Sequence, residues 1–132
     1  MRFEVITTRR DELVDVTARV AEVVSASGVE NGVAVVSSPH TTAGVTVNEN
    51  ADPDVQRDVL HGLSHIFPRE GDWRHFEGNS DAHLKTALVG TSATLPVAGG
   101  RLALGTWQAI YLAEFDGPRS RKLDVTVVSG VV

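Results

Sequence analysis

Apolar residues recur along this chain with two different spacings, and the two spacings predict different secondary structures. Spacings of three and four residues over 12–28 and again over 53–66 predict two amphipathic helices. Alternation of apolar and polar residues, or a short run of β-branched residues, predicts strands. The strands are expected over 2–8, 32–37, 45–47, 106–115 and 122–128.

Glycine, proline and capping residues set the boundaries of these elements. Gly28 follows the first helix where a C-cap glycine belongs, and Asp52 with Pro53 opens the second. Gly99-Gly100 predicts a hairpin that joins strands at 94–97 and 101–104. A short helix over 82–88 follows the long irregular segment 68–81. The whole chain, 1–132, is therefore expected to form one α+β domain, an antiparallel-rich sheet or sandwich with two or three helices.

Composition narrows the classes of function. The 132 residues include no cysteine, which excludes disulfides, thiolate nucleophiles and cysteine-based zinc sites. The formal net charge is −5, whereas nucleic-acid binding generally needs a basic face, so no nucleic-acid partner is expected. The sequence has no signal-peptide pattern and no apolar run of membrane-spanning length, so a cytoplasmic protein without a membrane partner is expected.

The five histidines fall into two groups. His61 and His65 lie four residues apart on the polar side of the second predicted helix, where they are expected to be solvated. His40, His75 and His83 lie in or beside loops with polar neighbours. Three imidazoles with an open fourth position are a common catalytic zinc arrangement. Sequence spacing leaves open whether these three side chains converge or are each simply solvated.

Two polar turns also carry candidate chemistry. Asn48, Glu49 and Asp52 offer a general base, or acceptors for histidine N–H groups, although turn and capping chemistry also explains such residues. Arg119 lies in the basic turn 117–122. An arginine beside a glycine can bind phosphate, and a solvated hairpin tip is the alternative interpretation.

A series of short motifs runs along nearly the whole chain. They are PHTTA at 39–43, TVNENADPDV at 46–55, HFEGN at 75–79, AHLK at 82–85, LVG at 88–90, GTWQ at 105–108, Glu114, and GPR at 117–119. In this order they resemble the YjbQ family, whose members are described as secondary thiamine-phosphate synthases. The resemblance implies a small α+β protein, a homotrimer, and a pocket in which motif histidines bind a metal ion.

The resemblance also implies an activity and roles for particular residues. The reaction joins a pyrimidine pyrophosphate to a thiazole phosphate and expels pyrophosphate. His40, His75 and His83 would hold a divalent ion, most simply zinc, or magnesium with a pyrophosphate substrate. From residue chemistry rather than from the resemblance, we expect Asn48 and Glu49, in the acidic turn nearest in sequence, to act as base or to orient the metal ligands. We expect Arg119, whose guanidinium stays charged, to bind the small anionic substrate.

Two other functions remain open on the sequence. One is a metal-dependent hydrolase of a small phosphorylated or ester substrate, in which Glu49 or Glu77 is the base for metal-bound water. The other is a trimer without enzymatic activity that binds a metal or a small metabolite.

Overall fold

Two antiparallel sheets and three helices make up the computed structural model, which describes residues 1–131. The five-stranded sheet has the order β1-β8-β3-β5-β6 and the three-stranded sheet the order β2-β7-β4. The predicted α+β class with antiparallel sheets is confirmed. The elements are β1 (Arg2–Ile6), β2 (Glu12–Asp15), α1 (Thr17–Ser27), β3 (Gly32–Ser37), β4 (Ala43–Glu49), α2 (Pro53–Ile66), α3 (Ser80–Val89), β5 (Ser92–Ala98), β6 (Arg101–Leu102), β7 (Gln108–Glu114) and β8 (Ser120–Ser129).

The main core lies between the two sheets and includes one face of α1. Val20 and Val24 of α1 pack with Leu123 of β8 and with Ile110 and Leu112 of β7, and all five are buried. Val, Leu and Ile side chains contribute roughly 1.5–3 kcal/mol each on full burial. This cluster is therefore the principal source of stability, and it fixes the two sheets face to face.

Strand β7 is buried on both faces, which the sequence pattern did not predict. Ile110 and Leu112 point into the main core, while Ala113 pairs with Phe115 in a second cluster. Leu60 and Leu63 of α2 pack on that second cluster, and so does Ala82 of α3. Helices α2 and α3 thus cover the outer face of the three-stranded sheet, and α3 carries His83.

The predicted start of the first helix at about Glu12 is wrong. Residues Glu12–Asp15 form strand β2, which pairs antiparallel with β7, and α1 begins only at Thr17. In the strand, Leu13 contacts the second cluster and Val14 contacts the main core, because successive residues of a strand point to opposite faces. The sheet hydrogen bonds with β7 outweigh the weak helix propensity of this β-branched segment.

The predicted turns and caps are largely confirmed. Gly28 ends α1 with φ 72°, and the Asp52 side chain accepts a hydrogen bond from the Asp54 N–H at the start of α2. Gly99 and Gly100 have φ values of 59° and 75°, which a two-residue turn with twisted flanking strands requires. β5 and β6 pair across that turn as expected.

The turn between β7 and β8 is not a hairpin tip, because the two strands belong to different sheets. Gly117 donates its N–H to the Arg10 carbonyl, and a Cβ at Gly117 would lie 2.2 Å from the Arg9 carbonyl oxygen. Only glycine fits there without a backbone shift. The turn is thus held against the β1–β2 connection, and it delivers Arg119 at a fixed place.

Arg121 and Glu114 form a fully buried ion pair between the two sheets. Arg121 Nε donates to Glu114 Oε1 at 2.9 Å, and Thr7 Oγ1 donates to the same oxygen at 2.8 Å. Burial alone would raise the pKa of Glu114, but the hydrogen bonds from Arg121, from the Asp116 N–H and from Thr7 outweigh it, so this pKa is lowered. Glu114 is therefore ionised at neutral pH.

Within the described part of the chain, the longest helix has 14 residues. No helix there is both long and apolar enough to span a membrane.

We predict that Glu114→Gln lowers the free energy of unfolding by about 3–5 kcal/mol at neutral pH, because it leaves the Arg121 charge buried and unpaired. Urea denaturation measures the change. The loss should begin to shrink as the pH falls below the ordinary glutamate pKa of 4.5, where the unfolded-state carboxylate is protonated. It should vanish only below the lowered pKa of the folded state, where the buried carboxylate is protonated as well.

Asp124→Asn is the matched control. Asp124 pairs with Arg2 on the exposed surface of the same strand, β8. Solvent screens this pair, so the variant should unfold close to the wild type. Equal destabilisation by both substitutions would contradict the special role of the buried pair.

Candidate functional site

A polar cleft of about 330 Å³ lies where three connections meet. The β3–β4 connection brings His40 and Thr42, the segment before α3 brings Glu77 and Asn79, and the β7–β8 turn brings Arg119. His83, on the first turns of α3, and the buried Arg121 also line it. The structure therefore brings His40, His83 and Arg119, three of the predicted site residues, to one cleft.

His40 is held in place by one hydrogen bond at its ring and another at its backbone N–H. The Lys122 N–H donates to His40 Nε2 at 2.8 Å, and the His40 N–H donates to Ser38 Oγ at 3.2 Å. Burial, followed by the nearby Arg121 guanidinium, lowers the pKa of His40 below its ordinary value of 6.5. His40 is consequently a neutral imidazole at neutral pH, with Nε2 as the acceptor and the proton on Nδ1.

His75 and His83 form a perpendicular pair. Their ring centroids lie 5.4 Å apart with an interplanar angle of 89°. Glu77 Oε2 lies 3.6 Å from His75 Nε2. His75 belongs to the loop before α3, and Ser80 Oγ, at the start of the helix, donates to the His75 carbonyl oxygen at 3.3 Å.

This pair has a separation that suits a shared ion. Two imidazoles that bind one tetrahedral zinc ion at about 2.0–2.1 Å place their ring centroids roughly 5 Å apart. As they stand, however, no three histidine, aspartate, glutamate or cysteine side chains among residues 1–131 form a metal-binding group. A shared metal site for His40, His75 and His83 therefore stays a prediction.

Arg119 is the accessible cation of the cleft. Its side chain is 51% exposed and lies 3.8 Å from Asp116 Oδ2, whereas Arg121 is buried against Glu114. Asn79 donates from Nδ2 to Asp116 at 2.9 Å. Asn79 Oδ1 is buried and has no hydrogen-bond partner in the described chain. The cleft thus presents one half-exposed guanidinium, beside the Asp116 carboxylate.

A buried charge network anchors the helix that presents His83. Arg10 donates to both oxygens of Asp81 at 2.9 and 3.1 Å, and Lys85 Nζ donates to Asp11 at 2.7 Å and Asp81 at 3.1 Å. Burial alone would raise the pKa of Asp81, but the hydrogen bonds from Arg10 and Lys85 lower it. Lys85 is engaged here and is therefore no candidate for binding substrate.

Asn48 and Glu49 do not lie in the cleft of their own chain. They are the last residues of β4, whose first residue follows Thr42 at the cleft. Seven strand residues span roughly 20 Å, at about 3.4 Å per residue. Glu49 donates its backbone N–H to Asn48 Oδ1, and its carbonyl accepts from the Tyr111 hydroxyl. Within one chain these residues serve the turn before α2.

His61 and His65 are exposed on α2, as expected, and outside the cleft.

Arg121, which lines the cleft, and its partner Glu114 are not among the predicted site residues. The sequence nevertheless indicates that both are buried, because each lies on the apolar face of an alternating strand. Glu114 continues the series Ile110 and Leu112, and Arg121 precedes Leu123 and Val125. A charge of each sign on two inward faces indicates a buried pair, since an unpaired buried charge is too costly.

Comparison with known proteins identifies the family. The family model for UPF0047 protein YjbQ-like proteins matches residues 1–130. The chain belongs to the YjbQ family. A UPF0047 protein of Methanocaldococcus jannaschii is 49% identical over 127 residues, which are 96% of this chain and 92% of the relative. YugU of Bacillus subtilis is 50% identical over 120 residues, covering 90% and 91% of the two chains.

Solved structures of the YjbQ family share this fold. The crystal structure of a YjbQ/UPF0047 protein from Clostridium acetobutylicum is 51% identical with a TM-score of 0.95, covering 97% of this chain and 99% of that one. A YbjQ-like protein from Sulfolobus solfataricus also superposes with a TM-score of 0.95, at 34% identity over 98% and 96% of the chains.

Proposed function

We propose that this YjbQ-family protein is an enzyme that binds a small phosphorylated substrate in the cleft between His40, His83 and Arg119. The reaction we propose is that of a thiamine-phosphate synthase, the transfer of a pyrimidine-methyl group from pyrophosphate to a thiazole phosphate. The observation that carries the proposal is the convergence of a half-exposed guanidinium and histidines from separate elements on one cleft of about 330 Å³.

Each group has a role that its chemistry supports. Arg119 is charged at every working pH and can grip two phosphate oxygens in parallel. His40 is neutral and its Nε2 accepts from the Lys122 N–H, so its Nδ1–H can donate to a substrate oxygen.

We propose that His75 and His83 are the first two ligands of a divalent ion and that His40 becomes the third once its ring releases the Lys122 N–H. When bound, such an ion would polarise and neutralise the pyrophosphate leaving group. Glu77 lies beside His75 and supports this arrangement, because a carboxylate that accepts from a ligand imidazole orients its ring.

We further propose a homotrimer in which Asn48 and Glu49 act in the cleft of a neighbouring copy. Within one chain the length of β4 separates them from His40, so a role at the histidines requires a second chain.

Arg119→Ala is expected to raise the KM for the phosphorylated substrate about 10- to 100-fold with little change in kcat, because it removes a charged hydrogen bond made in the ground state. The assay measures thiamine phosphate formed and inorganic phosphate released. Arg57→Ala, on the exposed surface of α2, is the control and should behave as wild type. Release of phosphate without any coupled product would identify a hydrolase instead.

Zinc stoichiometry tests the histidine roles. Purified His75→Ala and His83→Ala should each lose bound zinc in metal analysis, since each removes one of two adjacent ligands. His61→Ala removes an exposed histidine of α2 outside the cleft and should retain the wild-type zinc content. Full retention by His83→Ala would reject the metal proposal.

Mixed trimers test the shared site. His40→Ala and Glu49→Gln should each be inactive alone. After they are unfolded and refolded together, about a quarter of the sites in a random trimer should combine intact His40 with intact Glu49 from its neighbour. The refolded mixture should therefore regain activity in proportion to these intact sites. Sedimentation at a monomer mass, or a mixture that stays inactive, would overturn this arrangement.

A further inference from the structure

The Arg121 guanidinium lines the polar cleft, and one of its nitrogens has no hydrogen-bond partner within residues 1–131. Nε and Nη2 donate to Glu114, and Nη2 also donates to the carbonyl and the hydroxyl of Thr42. Nη1 takes part in none of these bonds, although an arginine offers five N–H donors in all. Two N–H groups of this cation are therefore left over.

The unused nitrogen is open to the cleft. Arg121 as a whole is only 2% exposed. In the described part of the chain, however, the buried side-chain polar atoms without a partner are Asn79 Oδ1 and Thr86 Oγ1, so Arg121 Nη1 is not sealed in the core. The cleft is the cavity that Arg121 lines, together with His40 and Arg119. The small exposed part of this side chain therefore includes Nη1 and faces the cleft.

The positive charge of Arg121 is felt in the cleft although Glu114 neutralises the pair as a whole. After burial, Arg121 is the strongest influence that lowers the pKa of His40, whereas Glu114 raises this pKa by a smaller effect. The positive end of the buried pair is therefore nearer the histidine than the negative end is. Arg119 lowers the same pKa as well. Two guanidinium groups, one fixed in the core and one half-exposed, thus act on the same small volume.

We propose that Arg121 is a second anion-binding residue of the cleft, and that its Nη1–H groups donate to a phosphate oxygen that Arg119 does not hold. The inference rests on the proposed function and adds a binding residue to it. Arg119 directly precedes β8 and Arg121 is the second residue of that strand, so the two side chains point to the same side. A phosphate group has oxygens in several directions, and two guanidinium groups can each bind different ones. Because the core holds Arg121 still, this residue fixes where the phosphate lies.

Two substitutions in the same ion pair should change phosphate affinity in opposite directions. Arg121→Lys keeps the positive charge beside Glu114 but has no second nitrogen to reach the cleft, so inorganic phosphate should bind about tenfold more weakly. Glu114→Gln removes the negative charge behind Arg121, so phosphate should bind about three- to tenfold more tightly even though the fold is less stable. Calorimetric titration at constant ionic strength measures both affinities, and near-UV circular dichroism checks that each variant is folded.

Asp124→Asn is the matched control for a simple change of net charge. It removes one negative charge from the exposed surface of the same strand, where solvent screens it, so phosphate affinity should stay within about twofold of the wild type. Arg119→Ala should weaken phosphate binding, as the proposed function requires. Zinc analysis of every sample ensures that a change in bound metal is not mistaken for a change in phosphate affinity.

The wild-type protein offers a test that needs no substitution, and this test decides the question if either variant fails to fold. The N–H groups of a buried, hydrogen-bonded guanidinium exchange slowly enough to be followed by NMR. Saturating phosphate should shift the Arg121 guanidinium signals. The signals of Arg2, which is paired with Asp124 on the surface, should stay in place.

A similar loss of phosphate affinity in Arg121→Lys and Glu114→Gln would show that the pair only holds the fold, and would overturn the inference. Unchanged affinity in Arg121→Lys, or Arg121 signals that do not shift, would overturn it too. In both cases a loss of affinity in Arg119→Ala would leave the proposed function intact. No phosphate binding by the wild type would overturn the inference and the proposed function together.

Discussion

The buried pair of Glu114 and Arg121 holds the two sheets together at the end where the cleft opens. β7 and β8 follow each other in the chain but belong to different sheets, so no backbone ladder joins them. The ion pair supplies that connection from the inside, with Thr7 and Thr42 as further partners. Because His40 accepts from Lys122, the next residue of β8, its position also depends on this junction.

Much of the fold could be predicted where two independent signals agree. The second helix has both an apolar stripe and a capped, proline-led start, and it forms from Pro53 to Ile66 as expected. The hairpin at Gly99-Gly100 has both alternation and the required glycines. The segment at Glu12–Asp15 has only spacing, which suits helix and strand equally, and strand pairing at long range decided it.

The candidate site was predictable in part. The type and loop placement of His40, His83 and Arg119 pointed to chemistry, and the fold brings them to one cleft. Only eight positions lie between His40 and Glu49, which suggested that the two side chains share one site. Strand β4 runs between them, so within one chain Glu49 lies far from His40. The burial of Arg121 was not predicted, because a basic turn suggests exposure to solvent. In the structure, Arg121 belongs to β8 and its side chain is buried in the core.

The two sides of the cleft differ in how they are held. On one side, Gly117 has no space for a side chain, and the β7–β8 turn is locked to the β1–β2 connection. On the other side, every residue from 68 to 78 is exposed, and the loop is tied to α3 and the strand connections through a few hydrogen bonds. Substitutions in that loop therefore cost little folding free energy, while they reshape the wall that a ligand meets first. Of this loop, only His75 and Glu77 belong to the proposed metal site, so its other positions can change and give new ligand preferences without rebuilding the core.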